Sequence, residues 1–288
     1  MAILTIDVGG SAIKNGVWSE GKLTTFDAIP TPKDYETFKQ NLLEIKERAS
    51  QEYTITGVGM SMPGAVNTKT RQIEGVSAVP YIHHRPIFDE LEKLLELPLT
   101  IENDANCAGI CEVEIGAGRQ GEHIIFIILG TGVGGSIFIH RKLYKGAHLF
   151  GGEFGLMRLM NKRIFSTSGT AVAMAHMFNQ KYGTNHTGLA IFEEADSGSE
   201  RAVLAVDELY ENISEGLYNI QVAFDPDTIV IGGGISQRHD IAEQLRTKLF
   251  RRLQEERVES VMPKVVRCDY LNDANLIGAA LNFENQGR

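Results

Sequence analysis

Cysteine, clustered positive charge, long apolar runs and low-complexity linkers are all scarce or missing in this chain of 288 residues, and each absence closes a class of protein. Cys107, Cys111 and Cys268 are too few for a disulfide framework. Cys107 and Cys111 stand four apart on an expected helix, and two thiols alone do not make a zinc site, so the three read as small buried hydrophobes. Lys and Arg total 28 against 37 Asp and Glu, a net charge of −9, with no long basic run. A phosphate-backbone binder needs clustered positive charge, so no nucleic-acid partner is expected. No apolar run approaches the roughly 18 residues of a membrane span, and no basic segment followed by an apolar one opens the sequence. No membrane partner is expected, and the location expected is cytoplasmic. A Walker A loop, G-x-x-x-x-G-K-[ST], is missing as well.

Glycine is where the information lies. Ile3 to Val8 runs into Gly9-Gly10-Ser11, Ile125 to Leu129 into Gly130-Thr131-Gly132-Val133-Gly134-Gly135, and Thr228 to Ile231 into Gly232-Gly233-Gly234. A glycine turn after an apolar strand lets the backbone approach a phosphate without a Cβ in the way, and its N–H groups serve as anion donors. Three such turns suggest a nucleotide-binding enzyme. Anionic ATP suits an acidic protein where backbone donors and Mg²⁺ neutralise the phosphates. The hydrophobic fraction of 43% and charged fraction of 23% are ordinary for a globular chain. The length is comfortable for two lobes of roughly 100–170 residues each.

Patterning predicts strands at Ala2–Ile6, Ala12–Trp18, Lys22–Ile29, Thr54–Ser61 and Leu99–Glu102, with helices at Asp34–Gln51, Pro86–Leu95 and Asp104–Ile115. The second half repeats the opening, with strands at Ile124–Leu129, Ser136–His140, Thr228–Ile231 and Lys264–Arg267. Helices are expected at Ser168–Tyr182, Glu200–Phe224, Gln237–Leu253 and Asn272–Phe283. The longest of them carries Val206, Leu209, Ile213, Leu217, Ile220 and Phe224 at three-and-four spacing, and Asp225-Pro226 stops it. The expected division is an N-terminal α/β lobe over 1–116, to which the closing segment 272–288 returns, and a C-terminal α/β lobe over 117–271, joined near Gly116–Gln120.

The run Gly130 to Gly135 satisfies G-x-G-x-x-G, but the dinucleotide fingerprint needs a helix next, and Ser136-Ile137-Phe138-Ile139 is strand-forming. A hairpin turn is the better reading, and a Rossmann oxidoreductase falls away. Asn103-Asp104 sits at a strand-to-helix junction, where side chains project into a site. Phosphoryl transfer to a hydroxyl needs a carboxylate to take the proton, a role Asp104 fits, and Asn103 can donate to and accept from a hydroxyl. A plain helix cap would use the same residue types. Glu153, within Gly151-Gly152-Glu153-Phe154-Gly155, is a carboxylate among small residues that let a polyol approach, unless it is an ordinary loop glutamate. His148 has no partner at ligand spacing, and His83-His84 reads as a polar loop.

Taken together, five motifs in order resemble the ROK family of sugar kinases, within the superfamily of sugar kinases, Hsp70 and actin. They are Ile6 to Ser11, Ser61-Met62-Pro63-Gly64, Glu102 to Asn106, Leu129 to Gly135, and Phe224-Asp225-Pro226 with Ile231 to Gly234. The resemblance implies a two-lobed α/β fold of the actin-like ATPase (ribonuclease H-like) type with ATP in the cleft between lobes, ATP and Mg²⁺ as cofactors, a sugar substrate and a homodimer. It implies Asp104 as catalytic base, and Gly64, Asn103, Asp104 and Glu153 in sugar binding. It implies Asp7, Gly9, Gly10, Ser11, Lys14, Gly130, Thr131, Gly132, Gly134, Gly135, Gly233 and Gly234 in ATP binding, with Asp7 a candidate to hold Mg²⁺ through water.

This chain departs from the family pattern in one region. Family members carry a histidine three residues after the glutamate, where Leu156 stands, and then a cysteine-rich zinc knuckle; Met157 to Ser168 has no cysteine. The second sugar-binding glutamate beyond the knuckle is missing too. No zinc site is therefore expected. The pattern is similar to the zinc-free β-glucoside kinases of the family, including a lysine at Lys14 rather than at Ala12. Losing polar contacts at the anomeric end would admit a substituted O1. Glucokinase and N-acetylmannosamine kinase remain alternatives. From another class, a DNA-binding repressor is disfavoured by the acidic charge and by a sequence that opens on its first strand, and a catalytically silent sugar binder by the intact Asp104 and phosphate turns.

Overall fold

Apolar strands broken by glycine turns build two five-stranded sheets of the same order, described here by a computed structural model for residues 2–286. The first half supplies β1 (Ala2–Val8), β2 (Ala12–Ser19), β3 (Lys22–Pro30), α1 (Tyr35–Ser50), β4 (Ile55–Met62), β5 (Ala65–Asn67), β6 (Gln72–Glu74), α2 (Ile87–Leu95), β7 (Leu99–Asn103) and α3 (Asp104–Glu114). The second supplies β8 (Ile124–Leu129), β9 (Val133–Ile139), β10 (Lys142–Leu143), α4 (Ala171–Tyr182), α5 (Gly188–Asp196), α6 (Glu200–Phe224), β11 (Thr228–Gly232), α7 (Ile241–Glu255), β12 (Lys264–Arg267) and α8 (Ala274–Gln286). One sheet runs β3-β2-β1-β4-β7 and the other β10-β9-β8-β11-β12, so the repeat read in the sequence is a repeat of topology. In each, the first two pairings are antiparallel hairpins and the last two parallel.

The described residues divide into two compact units, one of residues 2–114, 146–150 and 272–286, the other of 115–145 and 151–271. In the first, α1 is capped by Asp34, whose Oδ1 accepts the Thr37 N–H at 2.9 Å, and it buries Phe38, Leu42, Ile45 and Ala49 at helical spacing. The closing helix α8 packs flush on α3 and β4. A Cβ on Gly278 would stand 1.7 Å from the Cys107 carbonyl oxygen, and one on Gly59 would stand 2.3 Å from that of Ala279. Cys107 and Cys111 lie buried in that contact, and Cys268 is half-buried. Of the closing segment, 287–288 lie outside the described residues.

In the second unit α6 buries Leu209, Ile213, Leu217 and Ile220 and ends at Asp225, whose left-handed φ of 46° and following proline stop it. Several expectations shift here. The strand β9 begins at Val133, three residues before the predicted Ser136, taking Gly134 and Gly135 into the ladder opposite Ile128 and Ile127. Helix α4 starts at Ala171 behind the cap Thr170, and α7 at Ile241 rather than Gln237. The helix α5 and the hairpin β5–β6 were not predicted: α5 is nine residues long, opens on glycine and buries only Ile191 and Phe192. No helix among the described residues is long and apolar enough to cross a membrane.

Candidate active site

Parallel strands end together, and Asp7, Asn103 and Asp104 in the first unit, and the Gly130 and Gly233 turns in the second, lie at the C-terminal strand ends. In the first unit, Asp7 on β1 is level with Ser61 on β4, and Met62 with Asn103 on β7. Asp7 is also directly opposite Lys14 in the β1–β2 ladder, so both side chains stand on one face. Asp7 is buried. Its Oδ1 accepts from Ser61 Oγ at 2.6 Å and from Asn275 Nδ2 at 3.0 Å, while Oδ2 accepts no hydrogen bond among the described residues. A buried carboxylate with one oxygen anchored and the other free fits a hydrated Mg²⁺. Lys14 is exposed and its Nζ reaches the Asn272 carbonyl at 3.5 Å.

The first glycine turn is held by its own backbone: Gly9 N donates to Ala12 O at 3.0 Å, and Thr31 Oγ1 donates to Gly9 O at 2.6 Å. Gly10 is needed for packing, since a Cβ there would meet that of Ala78 at 2.8 Å, and Ser11 is exposed.

Asn103 is the cap of α3. Its Oδ1 accepts from Ala105 N at 2.9 Å and Asn106 N at 3.2 Å, and its Nδ2 donates to the Gly64 carbonyl at 3.1 Å. One Nδ2 hydrogen is left for a ligand, so capping and binding coexist. Beneath it the buried Glu102 accepts from Asn103 N and Asn106 Nδ2 at 2.8 and 2.9 Å, which locks the junction. Asp104 is the first residue of α3, exposed, with Oδ1 accepting from Ala105 N at 2.9 Å. The protein packed around it raises its pKa above the ordinary 3.8; the Ala105 N–H opposes this, and the negative charge of Asp7 adds to it. Gly64 needs to be glycine, with φ 108° and the His83 ring 2.7 Å from where a Cβ would stand.

In the second unit β8 and β11 end side by side. Gly233 (φ 85°) lies against β8, 2.5 Å separating the Leu129 carbonyl from its would-be Cβ, so the two glycine turns adjoin. Gly130 N donates to Gly132 O at 3.0 Å, and Ser166 Oγ accepts the Val133 N–H at 2.9 Å, holding the turn from outside. Open space surrounds the Cβ positions of Gly130 and Gly234, and that of Gly132 meets only Ser166 Oγ at 3.4 Å. Thr131 at the tip is exposed. Gly135 differs. Its Cβ would stand 2.5 Å from the Phe126 carbonyl and 2.7 Å from the Phe154 ring, so glycine there serves packing. The glycines around Glu153 serve the same end: Gly152 and Gly155 lie flush on the Gly135 and Val133 carbonyls, at 2.3 and 2.2 Å from their would-be Cβ atoms. That contact holds Glu153, exposed at the start of a single 3₁₀ turn, beside the β8–β9 turn. A pocket of about 520 Å³, lined among others by Thr131, Ser166, Ala173, His176 and Gln180, opens next to it.

Where the knuckle would stand, Met157 to Ser168 forms a small hairpin. Leu159 N donates to Arg163 O and Phe165 N to Met157 O, at 3.0 and 2.8 Å, with Lys162 left-handed at the tip. Glu215 on α6 accepts the Met160 N–H, and Asn212 accepts from Asn161 Nδ2. Leu156 is 53% exposed, an apolar side chain at the surface.

Ser61, Asn275, His83 and Ser166 escaped the sequence reading of roles. Ser61 lay inside a motif already singled out, whereas Asn275 meets Asp7 across 268 residues and carries no local signal.

The first unit thus carries a cradled carboxylate and a second carboxylate at a helix start, and the second unit two adjoining glycine turns, features of the kind phosphotransferases use. A model of the ROK family matches residues 3–286, and the chain belongs to that family. It is 31% identical to a β-glucoside kinase of Listeria innocua over 98% of this chain and 97% of that one. It is similar to a ROK family protein from Streptococcus pneumoniae solved in complex with sucrose, with 35% identity, TM-score 0.90 and coverage of 100% and 99%. It is also similar to a ROK family glucokinase from Streptomyces griseus solved with glucose and AMPPNP, at 26% identity, TM-score 0.83 and full coverage of both chains.

Proposed function

We propose that this sugar kinase transfers the γ-phosphoryl group of ATP to a hydroxyl of a hexose or β-glucoside, at position 6, with Asp104 as general base. The observation that carries the reading is the Asp104 carboxylate, placed at the open end of β7 by the Asn103 cap and raised in pKa by its surroundings. A base with a raised pKa accepts a hydroxyl proton more readily. As the sugar oxygen bonds to the γ-phosphorus, its proton passes to Asp104 and ADP leaves with the electron pair of the broken P–O bond. The free Nδ2 hydrogen of Asn103, and Glu153 as an acceptor for two hydroxyls, orient the sugar. The N–H groups of the Gly9–Ser11 and Gly130–Gly132 turns, with Lys14 and the Gly233–Gly234 turn, hold phosphate oxygens. Asp7 Oδ2 would hold Mg²⁺ through water, and the ion supplies charge neutralisation at the phosphates. The pocket beside Thr131 has room for the rest of the nucleotide.

Tolerance of a glycoside follows from Leu156 and from a hairpin without the usual polar grip at the anomeric end. The pneumococcal relative was solved with sucrose, a sugar whose anomeric oxygen is substituted. An apolar wall separates a free hydroxyl from a glycoside by only about 1–3 kcal/mol, so kcat/KM values for glucose and an aryl β-glucoside should fall within about 200-fold. The test is a coupled assay with Mg-ATP across glucose, cellobiose, an aryl β-glucoside, N-acetylmannosamine and N-acetylglucosamine. Leu156→His should shift preference toward the free sugar. Good turnover of a free sugar with none of either β-glucoside at millimolar concentration would leave a glucokinase or N-acetylmannosamine kinase. A homodimer, read by light scattering, and a cytoplasmic location, where ATP is at hand, belong to the same proposal.

The glycine turns separate binding from folding. A Cβ on Gly132 meets only ordinary contacts, so Gly132→Val should raise the KM for ATP by about tenfold or more, 1.4 kcal/mol per decade, with the sugar KM nearly intact. Gly135→Ala should instead lower stability and damage both constants, because the Phe126 carbonyl stands in the way. Equal loss for both substrates in Gly132→Val at unchanged melting temperature would remove the turn from ATP binding.

A further inference from the structure

A cluster of metal-ligating side chains lies in the second unit, at the end of the β8–β9 hairpin remote from the Gly130–Gly132 turn. Glu122 and His123 precede β8, and His140 follows β9. His140 Nδ1 is 2.8 Å from Glu122 Oε1, and the His123 and His140 rings meet edge to face with centroids 4.6 Å apart. One donor atom from each of the three residues lies within 4.8 Å of the others.

The backbone under this cluster is tightly fixed. Asp227 Oδ2 accepts the N–H groups of Glu122 and His123 at 2.8 and 2.7 Å, and Asp227 N returns a bond to the His123 carbonyl at 3.0 Å. Gly121 leaves room for that carboxylate, since a Cβ there would stand 2.6 Å from Asp227 Oδ1. Arg141 N donates to Glu122 O at 2.8 Å, and its guanidinium donates to the Arg119 and Gly121 carbonyls at 2.9 and 2.8 Å. His140 and Arg141 occupy the turn between Ile139 and Lys142 with φ of 50° and 60°. Glycine, asparagine and aspartate are the usual residues for two such positions. This turn is what brings the His140 imidazole to His123 and Glu122.

We propose that Glu122, His123 and His140 form an exchangeable site for a borderline divalent ion of the zinc type. Two imidazoles and one carboxylate are the ligand set of open zinc sites, where water fills the remaining position. Bonds of about 2.1 Å put tetrahedral donors about 3.4 Å apart, a closure that side-chain rotation of exposed residues supplies. The ion replaces the hydrogen bond between Glu122 and His140: the Nδ1 proton leaves through water, and the neutral imidazole that binds through Nδ1 carries its one proton on Nε2. Magnesium demands octahedral oxygen ligands and does not compete for such a set.

The test uses tag-free full chain, stripped by chelation and titrated with Zn²⁺ by calorimetry in millimolar Mg²⁺, with Co²⁺ absorption reporting the coordination. One ion per chain should bind tighter than about 100 µM, with a rise in melting temperature and no displacement by Mg²⁺. Glu122→Gln and His140→Asn should each weaken zinc by about tenfold or more while kcat with Mg-ATP stays unchanged. Asparagine tolerates a left-handed backbone, so the metal-free His140→Asn protein should melt no lower than wild type. Absence of binding below that concentration, or wild-type affinity in both variants, would overturn the site, the second by placing the ion on other residues.

Discussion

Asp104→Asn should abolish most turnover while making the protein more stable. Asparagine keeps the size of the side chain and an Oδ1 acceptor for the Ala105 N–H, but it accepts no proton, so kcat should fall by about 10²–10⁴ with the sugar KM little changed. The stability change follows from linkage. The folded pKa of Asp104 is raised above its ordinary 3.8, chiefly because the protein packed around the carboxylate displaces water from it, so the folded state binds the proton more tightly than the unfolded one. The stabilisation this gives is complete below the unfolded pKa and is lost as pH rises through the folded pKa; above the folded pKa the native state carries an ionised group it disfavours. The asparagine variant carries none, so it should melt higher than wild type at pH above the folded pKa, with the difference vanishing in acid. Wild-type activity should have an acid limb centred above pH 3.8, and the residual activity of the variant should lack it. A variant within a few-fold of wild type in kcat would remove Asp104 as base; one that melts lower would show that the carboxylate stabilises the fold.

This opposition of activity and stability was only half legible in the sequence. Asp104 stood out because a carboxylate closes a strand and opens a helix, but what makes it basic, its surroundings and the charge of Asp7, is a property of three strands ending level. Sequence patterning reaches along one element. It found the strands flanking each glycine turn, and with them the doubled topology, because apolar runs and glycine turns are local. It missed Asn275, whose bond to Asp7 joins the two ends of the chain, and Ser166, whose hydroxyl supports a turn 33 residues away.

Glycine carries two meanings in this sequence. The run from Gly130 to Gly135 reads as one phosphate loop, yet only its first part is a turn with open space above it. Gly135 answers to the Phe126 carbonyl and the Phe154 ring, and Gly152 and Gly155 answer to the β9 backbone. A missing Cβ serves a ligand and a neighbouring strand equally well, and only coordinates tell the two apart. That is also why β9 starts earlier than its β-branched residues announce.

Phe165→Ala should be strongly destabilising in the second unit, and it tests what organises the cysteine-free segment 157–168. Phe165 is fully buried in that unit's core, and its backbone closes the hairpin on Met157. Its ring lies against Gly169 and Gly216, whose would-be Cβ atoms stand 2.1 and 2.4 Å from ring carbons. Glycines have no side chains to relax into the space, so the cavity left by the ring stays open, and the cost should sit in the upper part of the range of about 3–5 kcal/mol for such truncations. Trp18, the one tryptophan of the sequence, is buried in the first unit, so its fluorescence reports that unit. Loss of the second unit is better read from far-ultraviolet circular dichroism or hydrogen exchange over α4 and α6. The expected result is a large shift of the denaturant midpoint for those helices, and no shift when the unsubstituted residue is kept and a strong chelator is added. Running the chelator arm in the His140→Asn background removes any ion held at the far end of the β8–β9 hairpin. A chelator-induced collapse of the 157–168 hairpin in that background, with Phe165→Ala costing less than about 1 kcal/mol, would mean that metal rather than aromatic packing holds the segment together.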